Sequence, residues 1–236
     1  MPGFIYGFDI YYFILIVPAI LLSLWAQVQV KSAYNKYAKV TTSRGMTGAE
    51  AAEAVLRQNG VRGVRIERVS GQLTDHFDPR SNVIRLSDGV YDSKSVAAAG
   101  IAAHEAGHAV QYAEEYTPIR LRMAIIPITQ FGSMLAWPLI LISFFIESVY
   151  SNMLFAIGAV LFSAVVLFQL ITLPVELNAS KRAIGALESG QMLSSQEVPG
   201  AKKVLRAAAL TYVAALAVAA AQLLRILLLR QSRRRH

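Results

Sequence analysis

Two of the chain's four histidines stand four residues apart in an alanine-rich run, AAHEAGHAVQ at 102–111, with a glutamate between them. On a helix, residues i and i+4 share one face about a turn apart, so His104 and His108 project together. That spacing lets two imidazoles ligate one tetrahedral zinc. Glu105 is offset by one residue. It stands beside such an ion without having to bind it, and is placed to take a proton from water. This H-E-x-x-H pattern has meaning when it falls on a helix, and SKSVAAAGIAAHEAGHAVQYAEEY reads as a helix of about five turns. A glycine in mid-helix costs roughly 1 kcal/mol against alanine, so Gly107 implies that something packs closely on its face.

Two histidines leave a catalytic zinc one protein ligand short. After His108 comes AVQYAEEY, with no third histidine. Glu115 falls near the histidine face but almost two turns away, too far for the same ion. Glu188 and Glu197 lie in ordinary surface sequence. Glu176 is the best candidate: it stands two residues past Pro174, in a stretch otherwise without acids. The competing reading makes it a solvated acid at a helix start, favoured there by the macrodipole. His76, in TDHFDPR, either donates to a tetrahedral oxyanion or marks a turn. Arg182 could serve the same end, but it reads better as a cation anchoring the cytoplasmic side of a membrane segment.

The elements that must hold these groups are mostly apolar. The chain has 236 residues, 55% of them hydrophobic, which is too apolar for an ordinary soluble domain. Four stretches, about 8–29, 123–146, 151–174 and 204–224, are long enough to cross a bilayer as helices. Arg206 is near enough to an end to snorkel. There are no cysteines, which excludes disulfides, thiolate ligands and a cysteine nucleophile. The net charge of +8 belongs to membrane orientation and contact with anionic lipid; no run of basic and aromatic residues suggests nucleic acid. Lys31, Lys36 and Lys39 follow the first span, which places the N-terminus outside and the polar region in the cytoplasm. Arg120, Arg122, Lys181, Arg182, Lys202 and Lys203 agree, as does a short outer turn, Glu147 to Asn152, without a basic residue. The basic ending RILLLRQSRRRH disagrees. Either the fourth segment lies in the interface or the earlier spans override the late charges; four spans is the reading adopted.

The expected organisation is therefore mainly α, a polytopic membrane protein of about four transmembrane helices with a small α+β zincin-like domain. Its parts are an N-terminal transmembrane helix (1–29), a cytoplasmic region with the H-E-x-x-H helix (30–122), a transmembrane hairpin (123–174), a cytoplasmic helix carrying Glu176 (175–203), and a last transmembrane helix with its basic tail (204–236). Within 30–122, Thr47 with Glu50 reads as a capping box, and Asn59-Gly60 as the end of that helix. VRGVRIERV alternates like a strand. GQLTDHFDPRSNVIRLSDGVY reads as a turn-rich hairpin whose strand is Asn82, Val83, Ile84, Arg85 and Leu86. Pro174 separates the third span from a following helix. We find no internal repeat.

DHFDPRSNVIRLS, AAHEAGHAVQ and LPVELNASKRA, in this order and among membrane spans, resemble the membrane-bound neutral zinc metallopeptidases called YugP-like. More distantly the chain is similar to gluzincin membrane proteases of the heat-shock and CAAX-prenyl type. The resemblance covers about residues 5–225. It implies zinc-dependent proteolysis on the cytoplasmic side, with Glu176 as third ligand. The heat-shock relatives carry an aspartate four residues after that glutamate, where this chain has Ser180. Ser180 or Asn178 is then the candidate to orient a ligand histidine.

Taken together, the expectation is one Zn2+ per chain held by His104, His108 and Glu176, with Glu105 as general base in an endopeptidase of the plasma or inner membrane. The substrate is a membrane-associated or unfolded protein, lying extended along the edge of the 82–86 strand and pairing its main chain there; the lipid bilayer is the other partner. The alternatives are a zinc-binding scaffold or chaperone partner, which would not need Glu105, and a transporter, which would show more ionisable residues within the spans.

Overall fold

The computed structural model describes residues 9–146 and 149–233. Residues 1–8, Glu147 and Ser148 of the expected outer turn, and 234–236 of the basic tail lie outside the described residues. A π-helical turn, Tyr12–Ile16, leads into α1 (Val17–Tyr37). Then come α2 (Gly48–Gln58), β1 (Arg65–Val69), β2 (His76–Asp78), β3 (Val83–Ser87), α3 (Asp88–Tyr91), α4 (Val96–Ala113), α5 (Thr117–Phe145), α6 (Tyr150–Ser189) and α7 (Val198–Arg233). Four of these helices are long and apolar enough to cross a membrane. The chain is mainly α with a small α+β part, and it divides into two compact units.

The first unit comprises Met1–Trp25, Leu121–Leu173 and Thr211–His236. Its core joins Ala136, Ile140 and Phe144 of α5, Phe155 and Phe162 of α6, and Ile226 of α7. Phe13, Phe131, Met134 and Val160 are each more than half exposed. An outward apolar face suits hydrocarbon, where only the backbone must be satisfied internally, as in a helix. Asp9 caps the first helix by accepting from the Tyr12 amide at 2.9 Å. Its other oxygen takes two bonds from the Arg225 guanidinium, at 3.0 and 2.6 Å. Arg230 donates to Ser151 Oγ at 3.0 Å and Asn152 Oδ1 at 2.6 Å. The far end of α7 thus lies beside the start of the first helix and the start of α6. Arg225 and Arg230, two of the late charges, thus find their partners within the first unit.

The second unit comprises Ala26–Arg120 and Pro174–Leu210. Helix α2 begins with the expected capping box: Thr47 Oγ1 accepts from the Glu50 amide and Glu50 Oε2 from the Thr47 amide. It ends at Asn59, with Gly60 in the left-handed region. The sheet order is β1-β3-β2, with β1 parallel and β2 antiparallel to β3. The β2–β3 turn is built by Asp78, whose carboxylate accepts from Arg80 N at 3.0 Å and Ser81 Oγ at 2.6 Å. Bonded in this way, Asp78 has its pKa lowered to about 2, first by Ser81.

Helix α4 is buried nearly all round: fourteen of its eighteen residues are buried. That explains its alanines, since a helix packed on every side has no polar face and small residues let neighbours approach. Ser95 caps it by accepting from the Ala98 amide at 3.2 Å. Its core neighbours come from α2, β3, α6 and α7, among them Val55, Ile84, Leu187 and Leu205.

Two expectations are corrected. Pro174 does not end a helix: α6 runs unbroken through it for 40 residues. Proline removes one amide donor, a loss that packed helices tolerate when the freed groups find partners. The 82–86 segment is not an edge strand either. Strand β3 is central, with β1 on one side and β2 on the other, so its backbone groups are already paired and an added chain has no edge to join.

Candidate metal centre

Helix α4 presents His104 and His108 on one face, their rings 4.7 Å apart and nearly perpendicular. Helix α6 presents Glu176 opposite them. Oε2 of Glu176 lies 3.2 Å from Nε2 of His104 and 3.4 Å from Nε2 of His108. The three possible ligand atoms all fall within 4.8 Å of one another, and Glu176 is 2% exposed. The close approach of the helices depends on Gly107. A Cβ there would stand 2.8 Å from the carbonyl oxygen of Ala179, three residues beyond Glu176. The glycine between the histidines is thus where α6 touches α4.

Each group is held by a further contact. The Phe77 amide of β2 donates to Glu105 Oε2 at 3.0 Å. Ser180 Oγ lies 3.1 Å from Nδ1 of His104. Gln111 Oε1 lies 3.0 Å from Nδ1 of His108. Asn178 meets Gln111 and Arg182 instead of a histidine. Burial presses His108 toward its neutral form, but Glu176 and Glu105 outweigh it and raise its pKa above 6.5. Asp75 accepts from the amide and hydroxyl of Ser87. Burial nevertheless raises its pKa, and the neighbouring charge of Glu105 adds to this.

His76 is turned elsewhere. It is exposed, its Nδ1 meets the Thr74 carbonyl at 2.8 Å, and its Nε2 faces Arg85. Adjacent strand residues point to opposite faces; it is the neighbour, Phe77, whose ring packs on Tyr112 and whose amide reaches Glu105. Glu188 pairs with Lys202, Glu115 with Arg120, and Glu197 accepts from Ser43 and Ser194. Arg182 is engaged by Asn178 and Glu114. Sequence reasoning missed Gln111 and the Phe77 amide. Gln111 had a signal: it lies three residues past His108, on the same helical face. A backbone amide has none.

The family model described as "Putative neutral zinc metallopeptidase" matches residues 12–231. The chain belongs to this family. A curated relative, "Putative membrane protease YugP" of Bacillus subtilis (strain 168), is 47% identical over 215 residues, which cover 91% of this chain and 94% of the relative. No solved structure matches. The family's cofactor is zinc, and the donor set fits it. Bonds of about 2.0–2.1 Å to one tetrahedral zinc place its ligands about 3.3 Å apart, and the two nitrogen–oxygen separations are 3.2 and 3.4 Å. Two imidazoles and a carboxylate, with no thiolate in the chain, are also a set that zinc accepts in catalytic sites.

Proposed function

We propose that this membrane metallopeptidase is an endopeptidase that cuts membrane-associated or unfolded protein segments at the cytoplasmic face. The observation that carries the reading is the convergence of Nε2 of His104, Nε2 of His108 and Oε2 of Glu176, with Glu105 anchored beside them. In this reading the three side chains hold the ion. When bound, zinc supplies Lewis acidity: it polarises a carbonyl oxygen and acidifies water. Glu105 is the general base. Its Oε2 is occupied by the Phe77 amide, which leaves Oε1 to take a proton from the attacking water and pass it to the departing amine. Ser180 and Gln111 hold the two imidazoles in place.

The substrate backbone would pair along the outer edge of β2, the strand that carries the Phe77 amide, in place of β3. Main-chain pairing of this kind gives little side-chain selectivity. Choice of substrate then rests on access. Segments 30–122 and 175–203 would form the peptidase part, and 1–29, 123–174 and 204–236 its membrane part. His108 precedes the second apolar stretch by fifteen residues and Glu176 follows the third by two, so chains near the bilayer would be favoured. The cytoplasmic assignment rests on the lysines and arginines that flank those segments and on the partners that Arg225 and Arg230 find in the first unit.

Purified wild type and Glu105→Gln would be assayed for zinc and for cleavage of casein and of an unfolded reporter tethered to the same vesicles, with and without chelator. Chelator-sensitive cleavage by wild type alone, faster on the tethered reporter, is expected. Equal cleavage by both proteins would remove the protease reading; zinc without cleavage by either would favour a scaffold. No preference for the tethered reporter would remove the membrane-substrate reading.

A further inference from the structure

We infer that Gln111 is a positioning residue, oriented through Asn178 by Arg182, that fixes the tautomer of His108 so that its Nε2 carries the lone pair facing Glu176. The inference rests on the zinc-site reading above and deepens it. It follows from counting donors. A guanidinium has donors and no acceptor, so the atom of Asn178 that lies 2.7 Å from Arg182 Nε is the carboxamide oxygen. That same oxygen lies 2.9 Å from the Gln111 side chain, which must therefore present its NH2 group. The second contact of that group agrees: it lies 2.8 Å from the Val175 carbonyl, which can only accept. Both amide hydrogens are thus used, and Gln111 Oε1 is the atom turned to His108 Nδ1, at 3.0 Å. An acceptor there requires Nδ1–H. A neutral imidazole has one N–H, so Nε2 is left free to ligate.

The amide cannot turn over without placing NH2 against N–H and oxygen against the Val175 and Asn178 oxygens. Gln111 is wholly buried, so water cannot take over either contact. At the outer end Arg182 is itself fixed: its NH1 pairs with Glu114 at 2.8 Å and its guanidinium lies over the Tyr116 ring. The relay runs from Arg182 and Asn178 on α6 to Gln111 and His108 on α4, so it also ties together the helices that bear His108 and Glu176. Metal-bound histidines commonly donate their other nitrogen to a carboxylate or carbonyl. Here an amide serves, and its polarity is set by a guanidinium two side chains away.

The test measures zinc affinity of the detergent-purified full chain by competition with a fluorescent chelator, for wild type, His108→Ala, Gln111→Leu, Arg182→Gln and the double variant. Melting of each metal-free protein is followed in parallel. Gln111→Leu should weaken zinc about 10–100-fold, and Arg182→Gln several-fold. In the Gln111→Leu background, Arg182→Gln should have no further effect, because its influence on His108 passes through Gln111. An affinity for Gln111→Leu within twofold of wild type overturns the relay. So does an equal loss from Arg182→Gln in both backgrounds, which is what a general loosening would give. Should Gln111→Leu fail to fold, unchanged affinity of Arg182→Gln overturns it alone. If wild type and His108→Ala bind zinc alike, the zinc-site reading has failed; if only His108→Ala loses zinc, the relay has failed by itself.

Discussion

The backbone amide of Phe77 donates to Oε2 of Glu105 across 3.0 Å, joining strand β2 to helix α4. One contact thereby fixes the proposed base and binds it to an outermost strand of the sheet. It also decides what a variant at 105 will do.

Glu105→Gln keeps a carbonyl oxygen that can accept the Phe77 amide, so local structure should survive. What is lost is the proton acceptor. General-base groups contribute about 10²–10⁴-fold to rate, and kcat should fall within that range. Zinc content and melting temperature should stay at wild-type values. Loss of zinc in this variant would mean that Glu105 holds the ion, contrary to the assignment.

Gly107 and Gly185 make a controlled pair. Both lie within helices, yet a Cβ at 107 meets the Ala179 carbonyl at 2.8 Å while one at 185 meets nothing within 4 Å. Replacing a helical glycine by alanine gains roughly 0.5–1 kcal/mol where space allows. Gly185→Ala should therefore raise the melting temperature slightly. Gly107→Ala should lower it and reduce zinc affinity, since it separates α4 from α6. Thermal unfolding and zinc titration of both variants check this, and stabilisation by both would show that the close approach at 107 is not needed.

The chain has no cysteine, so single cysteines report topology without background. Lys39→Cys follows the first span; Ser232→Cys lies near the end of α7. In intact cells an impermeant maleimide should label position 232 and spare 39, with both labelled after lysis. Protection of 232 would return α7 to the interface. Asp9→Asn should destabilise the first unit, and the exchanged pair Asp9→Arg with Arg225→Asp should recover part of the loss.

Asp75 gives a pH dependence with a definite sign. Burial raises its folded pKa above the ordinary 3.8, against two bonds from Ser87 that lower it. A raised value means that the protonated form is favoured by folding. The contribution is fully present below the unfolded pKa and is lost as pH rises through the folded one. Asp75→Asn keeps an acceptor for Ser87 and removes the buried anion. Its melting temperature should therefore fall less than that of wild type as pH is raised from about 4 toward neutrality. Parallel curves would place Asp75 in a solvated setting.

Some features were legible because they are local. Thr47 and Glu50 cap α2 through atoms three residues apart, and Asp78 with Ser81 builds its own turn. His104 and His108 needed only a helix between them. Pro174 misled because a missing amide reads as a helix end, whereas α6 continues through it. The 82–86 strand was recognised, but whether a strand is central or at an edge depends on two other segments. His76 and Phe77 differ by one position, and the pleat decided which faces α4.

By itself, the sequence determined the chemistry available: two imidazoles one helical turn apart, a carboxylate beside them, no thiolate, and four apolar stretches of membrane length. Those properties follow from composition and from the period of a helix. Only the tertiary structure decided that Glu176 meets the imidazoles, that β2 supplies the amide for Glu105, and that Gln111 faces His108. Each of these joins residues distant in the chain, through packing such as that of Gly107 on Ala179, and no local preference encodes where two helices touch.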